Sequence, residues 1–232
     1  MPHHVSLPVW AGKTAAQRID TLREMVEDLY AYTLGPANAA LLGMLDAARP
    51  ADRSEAESIA QMRALIQAHP NILAQNCEVG HMVGSALVVD ISQGRVLLHL
   101  HRKLGLWLPL GGHADYETDL AQVALREAFE ESGLPDLRFF PAPNGQPVPP
   151  ADFDVHTIPA TADRPEHLHL DFRYLLATTQ PQAARIDPEE SLDMAWLSFD
   201  EALRRDDLRP DVHRLVTKAR AAFRDSLSGP AA

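Results

Sequence analysis

Three features of the sequence predict an α/β fold: a helical N-terminal third, two later stretches with strand-like alternation, and a short carboxylate-bearing helix between them. Residues 14–69 carry apolar positions at helical spacing, residues 82–101 and 154–176 read as strands, and the intervening helix is closed by Gly133.

The composition sets the limits. The 232 residues suffice for one sizeable core, or for one domain with a smaller appendage. With 46% hydrophobic and 23% charged residues, the chain has ordinary globular usage rather than that of a disordered one. Its 21 basic and 32 acidic residues leave a formal charge of -11, which argues against nucleic acid as a partner. A small phosphorylated ligand remains compatible, because a bound cation supplies local positive charge. The single cysteine, Cys77, cannot form an internal disulfide. Together with an N-terminus lacking a signal-peptide pattern and the absence of a membrane-length apolar run, this gives the expectation of a cytoplasmic protein with no membrane association.

In chain order, Thr14 and Gln17 form a capping-box pattern before Ile19, Leu22, Val26 and Leu29, and Gly35-Pro36 is expected to end that helix. Leu41, Leu42, Met44 and Leu45 suggest a second helix. Ser54 with Glu57 suggests a third cap, ahead of Ile59, Met62, Leu65 and Ile66, with His69-Pro70 as the stop. These stripes would pack on the following domain or on a second copy in a homodimer, or wall one side of a substrate pocket. From Cys77 onward the period changes. Residues 82–89 and 95–101 read as two strands joined by the turn-rich 90–94, a hairpin. The basic run His101-Arg102-Lys103 at its end suggests phosphate binding through Arg102 and Lys103, or else a solvated strand end. His113, beside the following glycine pair, is a further candidate for substrate contact.

The next helix begins at Asp119, a suitable N-cap with Gln122 three residues on, and ends at Gly133-Leu134-Pro135. At about 100° per residue from Leu120, Glu130, Glu127 and Glu131 fall at about 280°, 340° and 20°, all within roughly a quarter-turn. Ala121, Ala124, Leu125, Ala128 and Phe129 form the expected apolar arc. Like charges at such spacings cost about 0.2–0.5 kcal/mol per pair, and acidic groups in the last turns lose about 0.3–1 kcal/mol each to the helix dipole. A hard divalent cation reverses both terms, since Mg²⁺ prefers carboxylate oxygens, retained waters and phosphates.

The flanking residues fit a family pattern. Gly112, then position 118 after five residues, then after seven more Arg126-Glu127-Ala128-Phe129-Glu130-Glu131-Ser132-Gly133-Leu134 resemble the signature of the Nudix hydrolases. Every spacing is kept, and the one departure is Thr118 where the family has its first glutamate, with Glu117 and Asp119 on either side as possible substitutes. The resemblance implies a Nudix-type α/β/α sandwich with a mixed β-sheet over residues 76–226; the helical segment at 1–75 precedes it, and a flexible tail is expected at 227–232. It implies Glu127 and Glu131 as metal ligands, Glu130 as a further ligand or a holder of bound water, and a backbone carbonyl at Gly112 in a Gly111-Gly112 turn. Arg126 is implied to orient a neighbouring carboxylate. The implied activity is Mg²⁺-dependent hydrolysis, Mn²⁺ being an alternative ion, of a nucleoside diphosphate linked to another moiety: ADP-ribose, a nucleotide sugar or a nucleoside triphosphate.

Beyond the helix, residues 140–152 read as an irregular proline-rich loop; Pro150 fits a family position associated with ADP-ribose hydrolysis, among five prolines between 141 and 150. Residues 154–158 and 167–176 alternate as strands. In the second, His167, His169, Asp171 and Arg173 share one face. Three readings are open for that row: a solvated polar face, a zinc site completed by His156, or a substrate-facing row using His169 and Arg173. The acidic loop 187–191 precedes a strand at 194–197; the family resemblance implies that a glutamate there, Glu189 or Glu190, acts as general base or extra ligand. Two other classes share the family fold: a regulatory module that binds a nucleotide without cleaving it, and an isopentenyl diphosphate isomerase. The second needs a cysteine within the sheet, whereas Cys77 precedes the strands.

Overall fold

Local signals place most helix boundaries, and packing overrides the stop expected at Gly35-Pro36. In the computed structural model, which describes residues 12–142, 145, 147–161 and 164–228 (side chains of residues 24 and 27–34 excepted), the first helix is α1 (Ala15–Ala47). Thr14 forms the expected capping box with Gln17. Gly35-Pro36 does not end the helix: Pro36 lies inside it, so the patch at 41–45 is the last part of α1 and not a second helix. A single proline removes one intrahelical hydrogen bond, and tertiary contacts beyond it hold the helix together. Leu41 and Leu45 are buried, and Asn38 Nδ2 donates to the carbonyl of Pro70 at 3.3 Å. The expected cap at Ser54 is also corrected. α2 (Arg53–Ala68) is capped by Asp52, whose side chain accepts from the Glu55 N–H, and it stops at His69 as expected.

Among the described residues the sheet has eight strands, β1 (Gly80–Asp90), β2 (Arg95–His101), β3 (Trp107–Leu108), β4 (Leu110–His113), β5 (Arg138–Phe139), β6 (Asp152–Ile158), β7 (His167–Thr178) and β8 (Ser191–Ser198). The predicted hairpin forms, with Val88 opposite Leu97 in antiparallel β1 and β2. β1 then runs parallel to β7 along its whole length, pairing His81 with His169 and Val83 with Asp171. The first half of β1 pairs antiparallel with β4, with Val83 opposite His113. β6 and β5 share the other side of β7, and β8 lies against β2.

Period-2 alternation divides the core into two faces. Met82, Ala86 and Val88 of β1 join Phe172 and Leu176 under α3 (Leu120–Ser132) and α2. Leu87 and Val89 face the other way, against α4 (Phe199–Arg204) and α5 (Pro210–Ser228). This is the expected α/β/α sandwich. The helical N-terminal segment contributes to the same core, since Leu41, Leu45, Ile59, Met62 and Ile66 share the first cluster. α2 also covers the free edge of β6: Phe153 N–H donates to Glu55 at 3.3 Å and Val155 N–H to Ser58 at 3.2 Å. By contrast Ile19, Leu22 and Val26 of α1 are exposed at 52%, 49% and 46%.

Among the described residues no helix is long and apolar enough to cross a membrane. The N-terminal pentapeptide, the Leu29 side chain, Pro143 of the proline-rich loop and the tail from 229 on lie outside the described residues.

Candidate metal and phosphate site

α3 is bounded as its sequence predicts. Asp119 accepts from the N–H groups of Ala121 and Gln122, and Gly133 closes the helix in the left-handed conformation at φ 64°. Its faces differ from the wheel in two places: Phe129 is 54% exposed, while Glu131 is only 6% exposed. The helix rests on the sheet through Leu120, Val123, Ala124 and Ala128, which turns Glu131 inward.

The three glutamates therefore occupy different environments. Glu130 is exposed, Glu127 is half-buried and Glu131 is buried. Arg126 ties two of them together, its Nη1 lying 2.7 Å from Glu127 Oε1 and 3.3 Å from Glu130 Oε2. Its Nε faces Glu117 at 3.8 Å. Thr118 is exposed, and Asp119 is engaged as the cap. Of the two neighbours that could stand in for a glutamate at position 118, Glu117 is the one that reaches the arginine.

The glycine pair lies in strand β4 rather than in the expected turn, and its lack of side chains lets α3 approach. A Cβ on Gly112 would sit 2.4 Å from the Glu127 carboxyl carbon, and one on Gly111 would sit 2.4 Å from Ser85 Cβ. The Gly111 N–H donates to Glu131 Oε2 at 3.0 Å and fixes that carboxyl against the strand. Burial pushes the Glu131 carboxyl up to about 8, with the Glu127 and Glu190 charges adding to it and the Gly111 N–H opposing. Glu127 is also raised by burial, against the pull of Arg126. A carboxyl that burial makes reluctant to release its proton is suited to a cation, whose charge makes the ionised form favourable.

These groups open onto a cavity of roughly 890 Å³. Glu127, Glu130, Glu131 and Gly112 line it, as do Lys103, His113, His169 and Glu190, so the fold brings together eight of the residues singled out in the sequence. Lys103 Nζ lies 3.9 Å from Glu190 Oε1. Glu189, the alternative to Glu190, is not among the lining residues.

Two of the expected substrate contacts have protein partners in the fold. Arg102 is exposed and is not among the lining residues; its Nε donates to the Pro188 carbonyl at 2.7 Å, which braces the 187–191 loop. Arg173 forms part of the cavity wall but is only 2% exposed. Its guanidinium is held by Asp171 at 2.7 Å, Asp211 at 2.9 Å and Asp154 at 3.2 Å. Arg214 and Lys218 of α5 continue the network to Asp152 and Glu55, joining α2, β6, β7 and α5.

Sequence reasoning missed His81. It is 1% exposed and packs between His113 and His169, with ring centroids 4.7 Å from each. The signal exists only in three dimensions: β1 and β7 pair residues far apart in the chain, and nothing local in the strand marks His81 as a partner of His169. Burial lowers His81 to about 3 and pushes His113 and His169 below the usual histidine range, which favours the neutral form of each ring. His156, which the zinc reading grouped with His167 and His169, turns its Nδ1 to Asp154 at 3.0 Å.

The NUDIX domain model matches residues 80–219, more than half of the chain. Among solved structures, a NUDIX-family hydrolase from Clostridium perfringens is 25% identical, with 61% of this chain and 96% of that one covered at a TM-score of 0.47. An Ap4A hydrolase from C. elegans is 18% identical over 64% and 98% at 0.46, and a MutT NUDIX hydrolase from Burkholderia pseudomallei is 18% identical over 60% and 95% at 0.38. No curated protein matches the sequence. The family match spans the strands that frame the cavity and the whole of the carboxylate helix, and on that match the chain belongs to the Nudix hydrolases.

Proposed function

We propose that the chain is a Mg²⁺-dependent pyrophosphohydrolase, able to use Mn²⁺, that cleaves the phosphoanhydride of a nucleoside diphosphate linked to another moiety. ADP-ribose, nucleotide sugars and nucleoside triphosphates are the substrate classes. The observation that carries this reading is the placement of Glu127, Glu130 and Glu131 on one cavity wall, with Glu131 buried, fixed by the Gly111 N–H and raised to about 8.

The donor set fits a hard cation. Glu127, Glu131 and the Gly112 carbonyl would supply oxygen ligands and Glu130 a further oxygen or a held water, while Arg126 keeps Glu127 and Glu130 together. When bound, the ion neutralises the diphosphate and acidifies a water molecule. The chain itself does the rest. Lys103, His113 and His169, which line the same cavity, receive the substrate, and Glu190 takes the proton of the water that attacks phosphorus, as the anhydride oxygen leaves with the departing phosphate. Lys103, 3.9 Å from Glu190, offsets the charge that gathers there.

We assign the hydrolytic unit to residues 76–226, with residues 1–75 as a helical appendage. Free, buried Cys77 supports a reducing, cytoplasmic setting, and the formal charge of -11 supports a small-molecule substrate rather than nucleic acid. The exposed Ile19, Leu22 and Val26 support a homodimer, which light scattering would report. The activity is tested with a panel of dinucleotides, nucleotide sugars and nucleoside triphosphates followed by phosphorus NMR. Mg²⁺-dependent loss of an anhydride signal is expected; nucleotide binding with no cleavage of any compound would instead make the chain a sensor module.

A further inference from the structure

The cavity contains a second cluster that the carboxylate chemistry does not use. His81 of β1, His113 of β4 and His169 of β7 converge from three neighbouring strands, and their ligand nitrogens all lie within 4.8 Å of one another. The His113 and His169 rings are 5.2 Å apart, and both are half-buried. His81 is 1% exposed, and among the described residues its Nε2 has no hydrogen-bond partner. Buried polar atoms are almost always satisfied, so an orphaned imidazole nitrogen among two other neutral imidazoles calls for a ligand.

We propose that His81, His113 and His169 form a three-histidine site for a zinc-class divalent ion, distinct from the site at Glu127, Glu130 and Glu131. Imidazole nitrogen favours zinc and its transition-metal neighbours, whereas Mg²⁺ selects oxygen, so the two clusters sort different ions. Zinc–nitrogen bonds of about 2.0–2.1 Å in a tetrahedron set ligand nitrogens about 3.3 Å apart. The three rings therefore close inward on loading, with His113 and His169 moving and fully packed His81 serving as the fixed point.

The surroundings supply what such a ligand needs. Gln75 Nε2 and His113 Nδ1 are 2.8 Å apart, and with the amide turned over, its oxygen accepts from Nδ1–H and frees Nε2 for the ion. His167 and His156 pack around His169, each tied through Nδ1, to the Pro165 carbonyl and to Asp154. Arg164 works against loading. Its Nη2 lies 3.1 Å from His81 Nδ1 and donates to it, which places the ring proton on Nε2, so binding at Nε2 requires that proton to move to Nδ1, and the contact with Arg164 breaks. Three protein ligands leave a fourth position for water or a phosphate oxygen, and His113 and His169, placed above as substrate contacts, then act through the ion.

The test uses full-length protein stripped of metal, titrated with Zn²⁺ alone in the presence of saturating Mg²⁺. One tightly bound equivalent is expected, with an imidazole signature in X-ray absorption at the zinc edge. Affinity should fall at least about tenfold in His113→Ala and in His169→Ala, rise in Arg164→Gln, and be retained in Glu127→Gln. The absorption spectrum of the unmodified chain needs no variant to fold. Failure to bind one equivalent, an oxygen-only shell, or binding that Mg²⁺ displaces and Glu127→Gln abolishes would each overturn the site. None of these results bears on whether Mg²⁺ supports hydrolysis, which is read separately.

Discussion

Glu131→Gln should make the metal-free protein more stable at neutral pH, and the size of the effect follows from the burial of that carboxyl. The ordinary value of 4.5 rises to about 8 in the fold. A carboxyl that holds its proton more tightly when folded favours the folded state below about pH 4.5, and that advantage is lost as pH rises through about 8. At about 1.4 kcal/mol per pH unit, the loss between about pH 5 and about pH 7 is about 3 kcal/mol, or about 6–12 °C in melting temperature for a chain of this size. Glutamine keeps the oxygen that accepts from Gly111 but does not ionise. In chelator, the variant should therefore gain about 3 kcal/mol on the parent over that range, while the buried histidines, common to both, cancel in the comparison. Adding Mg²⁺ should stabilise the parent selectively and close the gap. Thermal unfolding followed by circular dichroism reads both effects. A difference that stays flat between pH 5 and pH 7, or Mg²⁺ that stabilises the variant as much as the parent, would refute the reasoning.

The glycine pair separates positioning from folding. In Gly112→Ala the new methyl meets only the mobile end of Glu127, 2.4 Å away, so stability should fall by less than about 1 kcal/mol while hydrolysis drops about 100-fold through the displaced carboxylate. Gly111→Ala instead drives a methyl to 2.6 Å from the Cα of Ser85, and urea unfolding should show a loss of about 1–3 kcal/mol. Arg173→Met leaves Asp171, Asp154 and Asp211 facing an uncharged side chain and should cost about 3–5 kcal/mol. A raised KM at unchanged stability would return Arg173 to the role of substrate contact.

What was legible in the sequence was local or set by a fixed spacing. Thr14, Asp119 and Gly133 bound their helices because a cap is a contact over three or four residues. The carboxylates of α3 were legible because a helix converts sequence spacing into a shared face. Pro36 misled, since the burial of Leu41 and Leu45 outweighs one missing hydrogen bond. Phe129 misled because the wheel gives a side chain's direction but not which arc faces the sheet. Alternation put Arg173 on one face with His169 and Asp171, but the aspartates of β6 and α5 that also hold it belong to elements whose approach depends on the whole fold. His81 was invisible for the same reason: its partners are defined by strand register across β1, β4 and β7.

The central claim, that the glutamates of α3 hold the ion required for anhydride cleavage, is tested most directly by phosphorus NMR on the best substrate of the panel, comparing the parent with Glu127→Gln and Glu131→Gln in Mg²⁺. The account predicts that new phosphate end groups appear with the parent alone, and that the rate in each variant falls by about 100-fold or more, as loss of several kcal/mol of charge stabilisation requires. Cleavage continuing at the parental rate in both variants would contradict it.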